Sequence, residues 1–192
     1  MNIPSGKAST TPWATALALV LLMVLTRIGH LGEFSRLPDA SWAVFFLGGM
    51  QLREARAFAA FFALAWIVDL GAVALGTPAD CFSVAYLFLV PSYAALWWGG
   101  RLAARHAAVS GPVAALARGA GALWAAVILA FMLSNLGFYA FGQVAVASVA
   151  DYALRVGGYL PAYLVVATVY AGLALAAWAL ATRGLARRAS DR

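Results

Sequence analysis

Residues 112–141 read PVAALARGAGALWAAVILAFMLSNLGFYAF, thirty positions carrying a single charge, Arg118. A helix needs about 20 predominantly apolar residues to cross the hydrocarbon core of a bilayer, so this run spans one with length left for a tilt or a break. Working outward, five further apolar stretches occupy 12–28, 39–52, 57–75, 78–98 and 156–182. Together the six leave short loops and two tails in 192 residues, with no room for a soluble catalytic domain. The composition agrees: 65% of residues are hydrophobic, 10% are charged and the mean hydropathy is +0.88. Soluble domains carry about 25% charged residues, so an ordinary cytosolic globule is excluded. The reading is an all-α polytopic membrane protein, a single membrane domain over 1–192 with six transmembrane helices.

The net charge of +6 does not point to nucleic acid, because the basic residues lie between apolar runs and act as topology determinants. With both termini in the cytoplasm, the inner set is Lys7, Arg53, Arg56, Arg101, Arg105, Arg118, Arg183, Arg187, Arg188 and Arg192. The outer set is Arg27, Arg36 and Arg155, a ratio of 10 to 3. That bias predicts a multi-pass protein of the bacterial cytoplasmic membrane with cytoplasmic N- and C-termini. The first run is retained as a span, since Thr26-Arg27-Ile28 follows its apolar core in place of a small-residue cleavage site. Trp13, Trp97, Trp98 and Trp178 fall near span ends, where indoles favour the membrane interface. Pro91 and Pro161 are expected to kink their helices, and Gly48-Gly49 to loosen the short second span. The only lysine lies in the N-terminal tail, so this chain holds no P-loop and does not hydrolyse ATP by itself.

Costly polar residues gather at one depth. Asp69 lies toward the outer end of the third span, Asn135 toward that of the fifth, and Tyr86 one to two turns into the fourth. Arg27 and His30 close the first span and Arg155 opens the sixth. An ionisable group at membrane depth costs several kcal/mol, so it faces a cavity or a partner. For Asp69 two explanations stand side by side: an outward-facing polar cavity, or an ion pair with an arginine that fastens helices.

Cys81 is the sharpest candidate. Thr77-Pro78-Ala79-Asp80 has the form of a helix start, with Thr as N-cap and Pro in the first turn, which sets Cys81 at the outer rim of the fourth helix. Amide dipoles at a helix start favour a thiolate, which is a nucleophile and a soft metal ligand. The plainer explanation is a small buried hydrophobe. A single cysteine also excludes an internal disulfide. His30, flanked by Gly29 and Gly32, is either a ligand or an exposed loop residue, and His106 beside Arg105 reads as solvated. Trp42/Phe45/Phe46 and Phe138/Tyr139/Phe141 line an apolar cavity or pack helices equally well.

Six spans in a short chain, a short second span, an outer polar pocket and no ATPase resemble the S-components of energy-coupling-factor (ECF) vitamin transporters. His30, Asp69, Cys81, Tyr86 and Arg155, with the segment Thr77-Pro78-Ala79-Asp80-Cys81-Phe82, resemble more specifically the BtuM family of cobalamin uptake proteins. The resemblance implies cobalamin as substrate in the outer cavity, with the Cys81 sulfur an axial ligand to its cobalt and removal of cyanide from cyanocobalamin as an associated thiol chemistry. His30, Asp69, Tyr86 and Arg155 would contact the corrin side chains or, for His30, the opposite face of the cobalt. Typical S-components dock on their energising module through an Ala-rich face of the first helix. Here that face is Ala14/Ala18 followed by Leu22, which speaks against docking on an ECF module and for a solitary protein. Three other readings stand beside this one: an S-component for another vitamin or a metal ion, a thiol enzyme acting on cobalamin, and an accessory membrane subunit with no ligand. Serine hydrolysis has no support, because no Gly-x-Ser-x-Gly occurs.

Overall fold

The structure, a computed structural model, describes residues 12–27, 37–52, 54–76, 83–109, 111–141 and 148–190, the side chains of 12 and 185–190 excepted. These residues form seven α-helices and no strand: α1 (Pro12–Arg27), α2 (Ser41–Gln51), α3 (Ala55–Ala74), α4 (Leu89–Ala107), α5 (Pro112–Phe141), α6 (Val149–Gly157) and α7 (Leu160–Ser190). A 3-10 segment, Val84–Phe88, leads into α4. The all-α class is as the apolar runs require.

Three stretches, Ala55–Ala74, Pro112–Phe141 and Val149–Gly184, are long and apolar enough to cross a membrane, and Trp13–Arg27 is a shorter apolar helix. The expected fifth span, 112–141, coincides with α5. The expected third span, 57–75, matches α3 and the first, 12–28, matches α1 to within two residues, while the second, fourth and sixth depart for local reasons. Where a span over 39–52 is expected, α2 has 11 residues, and at 1.5 Å per residue reaches roughly 16 Å. That is about half a hydrocarbon core. The expected sixth span begins at 156, but helix begins at Val149, where the Ser148 side chain caps the Asp151 amide (3.1 Å). It then breaks at 158–159 after Gly157 and resumes ahead of Pro161 in the first turn of α7. Pro91 falls in the first turn of α4, where it costs no helical hydrogen bond and starts the helix.

Helix α2 is the centre of the bundle. Ser41, Ala43, Val44, Phe45, Phe46, Leu47, Gly48 and Gly49 are all buried, so its apolar residues face protein around nearly the whole circumference. Its closest neighbour is α4. A Cβ at Gly49 would collide with the Trp97 carbonyl, and one at Gly100 with the Phe46 carbonyl. Gly49 and Gly100 thus bring two backbones together, and Gly48 makes room for the Trp97 ring, the use to which small residues are put between membrane helices. Trp97 belongs to this crossing and is buried, whereas Trp13, Trp98 and Trp178 are exposed.

On α5, Leu123, Ala126, Val127, Ala130 and Phe131 form a buried i, i+3, i+4, i+7, i+8 stripe. The opposite face, with Trp124, Leu129, Met132 and Leu136, is exposed and apolar, the pattern of a helix that meets lipid on one side. The end of α1, the start of α2, the C-terminal part of α3 and the start of α4 meet at one level, joined by bonds from Arg27 to Ser41, Asp69 and Tyr93.

Candidate functional site

The polar cluster at that level is built on Arg27, the last residue of α1. Thr26 fixes the approach: its hydroxyl donates to the Leu22 carbonyl (2.8 Å) and accepts from the Ala40 amide (3.1 Å), tying residues 37–40 back onto α1. Asp39, just before α2, accepts from the Ser41 amide (2.9 Å) and hydroxyl (2.6 Å). Its carboxylate thereby sits over the start of α2, where helix amides favour negative charge.

Into this frame Arg27 extends a fully engaged guanidinium. Nε and Nη2 donate to the two carboxylate oxygens of Asp69, each at 2.6 Å. Nη1 donates to Asp39 (3.0 Å), Ser41 Oγ (2.8 Å) and the Tyr93 hydroxyl (3.1 Å). The bidentate fork is the strongest geometry for a guanidinium and a carboxylate. Tyr93 is itself placed by stacking on Phe45, 4.1 Å between ring centroids. The Tyr86 hydroxyl donates to Asp69, and its ring packs edge-on against Trp66. The cluster therefore ties α1, α2, α3, the 3-10 segment and α4 together through side chains alone.

Chemically, the arginine has no nitrogen left over for a ligand, and the carboxylates do have capacity. The side chains of Asp39 and Asp69 stay 24% and 19% exposed against 8% for Arg27. A ligand amide or hydroxyl would find carboxylate oxygens held rigidly and already charge-compensated.

Of the residues expected at the site, Asp69 and Tyr86 are brought together. Arg155 is exposed on α6, and no bond among the described residues joins it to Asp69. Its helix is anchored to α5 by the Tyr152 hydroxyl, which donates to the Asn135 carbonyl (3.1 Å) and side-chain oxygen (3.3 Å). His30, Cys81 and the rest of 77–82 lie outside the described residues, as does the helix start expected at Thr77-Pro78. Among the described residues no group of three or more His, Cys, Asp or Glu is placed to hold a metal ion. The aromatic groups pack rather than line a cavity: Phe45 and Phe46 are buried, and Trp42 rests on Tyr163 at 4.5 Å.

Asp39, Ser41 and Tyr93 are the members that sequence reasoning passes over, while Arg27, expected at this depth, is the arginine that pairs with Asp69. Arg27 reads naturally as an outer topology charge. The sign that it is more is its position against an apolar run, with two acids, Asp39 and Asp69, at the same predicted level. Comparison with known protein families and with curated proteins returns no match for this sequence, so the geometry of the cluster carries the functional argument.

Proposed function

We propose that the chain is a cobalamin-binding uptake protein of the bacterial cytoplasmic membrane, resembling the BtuM family and threading the membrane six times with both termini cytoplasmic. The observation that carries the reading is the meeting of Tyr86 and Asp69 at the end of the bundle where Arg27 and Asp39 also converge. Cys81 precedes Tyr86 by five residues, so the backbone between them reaches at most roughly 18 Å. The partly exposed oxygens of Asp69 and Asp39 would accept from corrin side-chain amides, Tyr86 would hold Asp69 in orientation, and Arg155 and His30 would close the ligand from neighbouring segments. Bound cobalamin supplies the cobalt, and the Cys81 sulfur is the soft donor suited to it. Three helices long and apolar enough to cross a membrane support the membrane part of this reading, in which α2 is a short span sheltered by protein.

The test is the visible spectrum of protein purified from cells given cobalamin. Corrinoid bands should co-purify, and Cys81→Ser should displace or abolish them with little change in folding, because the swap is nearly isosteric. A Cys81→Ser protein with unchanged bands removes cobalt ligation, and a colourless wild type removes cobalamin altogether.

The bidentate Arg27–Asp69 pair specifically favours a second reading, an accessory membrane subunit in which the cluster only fastens helices. Asp69→Ala separates the two. Normal pigment retention in a destabilised protein assigns the pair to fastening, whereas lost retention with a small change in melting temperature assigns it to the ligand.

A further inference from the structure

Helix α4 packs on its two neighbours in different ways. Against α2, backbone meets backbone at Gly49 and Gly100, a crossing with no room for displacement. Against α3 there is a layer of rings instead. Phe58, Phe62 and Trp66, four residues apart on one face of α3, meet Trp97, Tyr93 and Tyr86 at centroid distances of 5.6, 6.1 and 5.4 Å. All three pairs are edge-on, at 74°, 72° and 73° between planes. Such side-chain edges can repack, which touching backbones cannot. Of the 20 residues of α3, Phe61, Ala65 and Ala72 are buried, and a Cβ at Gly71 would meet no neighbouring element within 4 Å. On the side toward α1, a groove of about 350 Å³ lies between Trp13, Ala16 and Val20 and the N-terminal half of α3.

The helix is nevertheless held near both ends. At its start the Glu54 amide donates to the Leu52 carbonyl (2.8 Å), keeping α3 against the end of α2, and the backbone of Glu54 is extended, so the helix is interrupted there. Near its other end Asp69 takes the guanidinium fork of Arg27 and the Tyr86 hydroxyl.

We propose that α3 is a hinged gate, turning about Glu54 and latched by Asp69, whose opening parts the ring layer beside the polar cluster. Hinges of this kind are a few residues at the end of an element. Glu54 and Asp69 are 15 residues apart, a lever of roughly 22 Å, so a tilt of about 10° carries Asp69 roughly 4 Å. Closed, the rings fill the space next to the carboxylates. Open, they border a cleft that reaches Asp69 and Tyr93. Whatever competes with Arg27 for Asp69 releases the latch, and the device does not depend on that competitor being a corrinoid.

Double electron–electron resonance on the full chain, in a Cys81→Ser background that removes its sole cysteine, tests the gate. Spin labels on Leu70→Cys/Leu136→Cys, exposed positions of α3 and α5, span it. Labels on Val90→Cys/Val165→Cys, exposed positions of α4 and α7, stay within the frame. Without further change, the 70–136 pair should give one narrow distance. Asp69→Asn, which keeps the side chain's size and removes its charge, should add a population shifted by about 4 Å or more, with the 90–165 distance unchanged. Tyr86→Phe, which removes one bond to Asp69, should shift fewer molecules in the same direction. An identical 70–136 distribution in folded Asp69→Asn protein overturns the proposal. So does equal broadening of both pairs, which is general loosening and not a gate. If Asp69→Asn does not fold, Tyr86→Phe decides, and an unchanged distribution there overturns the gate. No corrinoid enters the measurement, so the gate and the cobalamin reading can fail separately.

Discussion

Helices α2 and α7 are written in the same apolar alphabet and end up in opposite surroundings. In α2, eight of 11 residues are buried. In α7, Ala167 and Ala171 are buried while Val165, Val169, Leu173 and Leu180 are exposed. Hydropathy measures aversion to water, and lipid and protein interior satisfy it equally. What separates the two helices is size. α2 presents Gly49 to the backbone of α4 and Gly48 to the Trp97 ring, contacts that only a protein partner can make, whereas no atom of a neighbouring element lies within 4 Å of where a Cβ would sit at Gly172 of α7.

The comparison can be broken most directly at those glycines. Gly100→Leu should yield no folded protein, because the new side chain meets the Phe46 carbonyl and backbone cannot move aside as a side chain does. Gly172→Leu should leave yield and melting temperature as they are, and an equal loss at both positions would end the distinction. Arg27→Leu comes next: it strands Asp39 and Asp69 and should cost about 3–5 kcal/mol in reversible detergent unfolding. Phe45→Ala, which leaves a void beside Tyr93, should cost a similar or smaller amount, about 3–4 kcal/mol. Ser148→Ala removes the cap of α6 and should cost about 1 kcal/mol, visible as helix fraying by hydrogen exchange at 149–152. At the small end, Leu173→Ala on the lipid side of α7 should change stability by less than about 0.5 kcal/mol. A cost there as large as that of Phe45→Ala would mean that α7 is covered by protein.

What the sequence makes legible is what local chemistry decides. Residues 112–141 announce α5 because both ends carry their own punctuation, Pro112 at the start and the end of the apolar run at Phe141. The break between α6 and α7 was equally available, in Ser148 three residues before Asp151 and in Gly157-Gly158 before Pro161, but the uninterrupted hydropathy across it masks both signals. The role of Arg27 was only half within reach: an ion pair between Asp69 and an arginine stood as one explanation, but not which arginine or its further partners. Its partners stand 12 and 42 residues away, and nothing local chooses between an arginine that marks topology and one that holds four segments together. Tyr93 reads as one aromatic among many until its stacking on Phe45 aims the hydroxyl at that arginine.

The glycine crossing also has a consequence in time. Synthesis runs from the N-terminus, so α2 leaves the ribosome before the helix that covers it exists. Gly100 follows Gln51 by 49 residues, which at ordinary elongation rates take roughly 2–10 s. During that interval a helix about half as long as the hydrocarbon core is thick has only α1 and the growing α3 to lean on, and the Arg27 cluster lacks the two tyrosines that complete it. Assembly of this bundle is thus delayed until α4 emerges, and α4, rather than the more hydrophobic α5 or α7, sets when the first half of the chain becomes stably embedded.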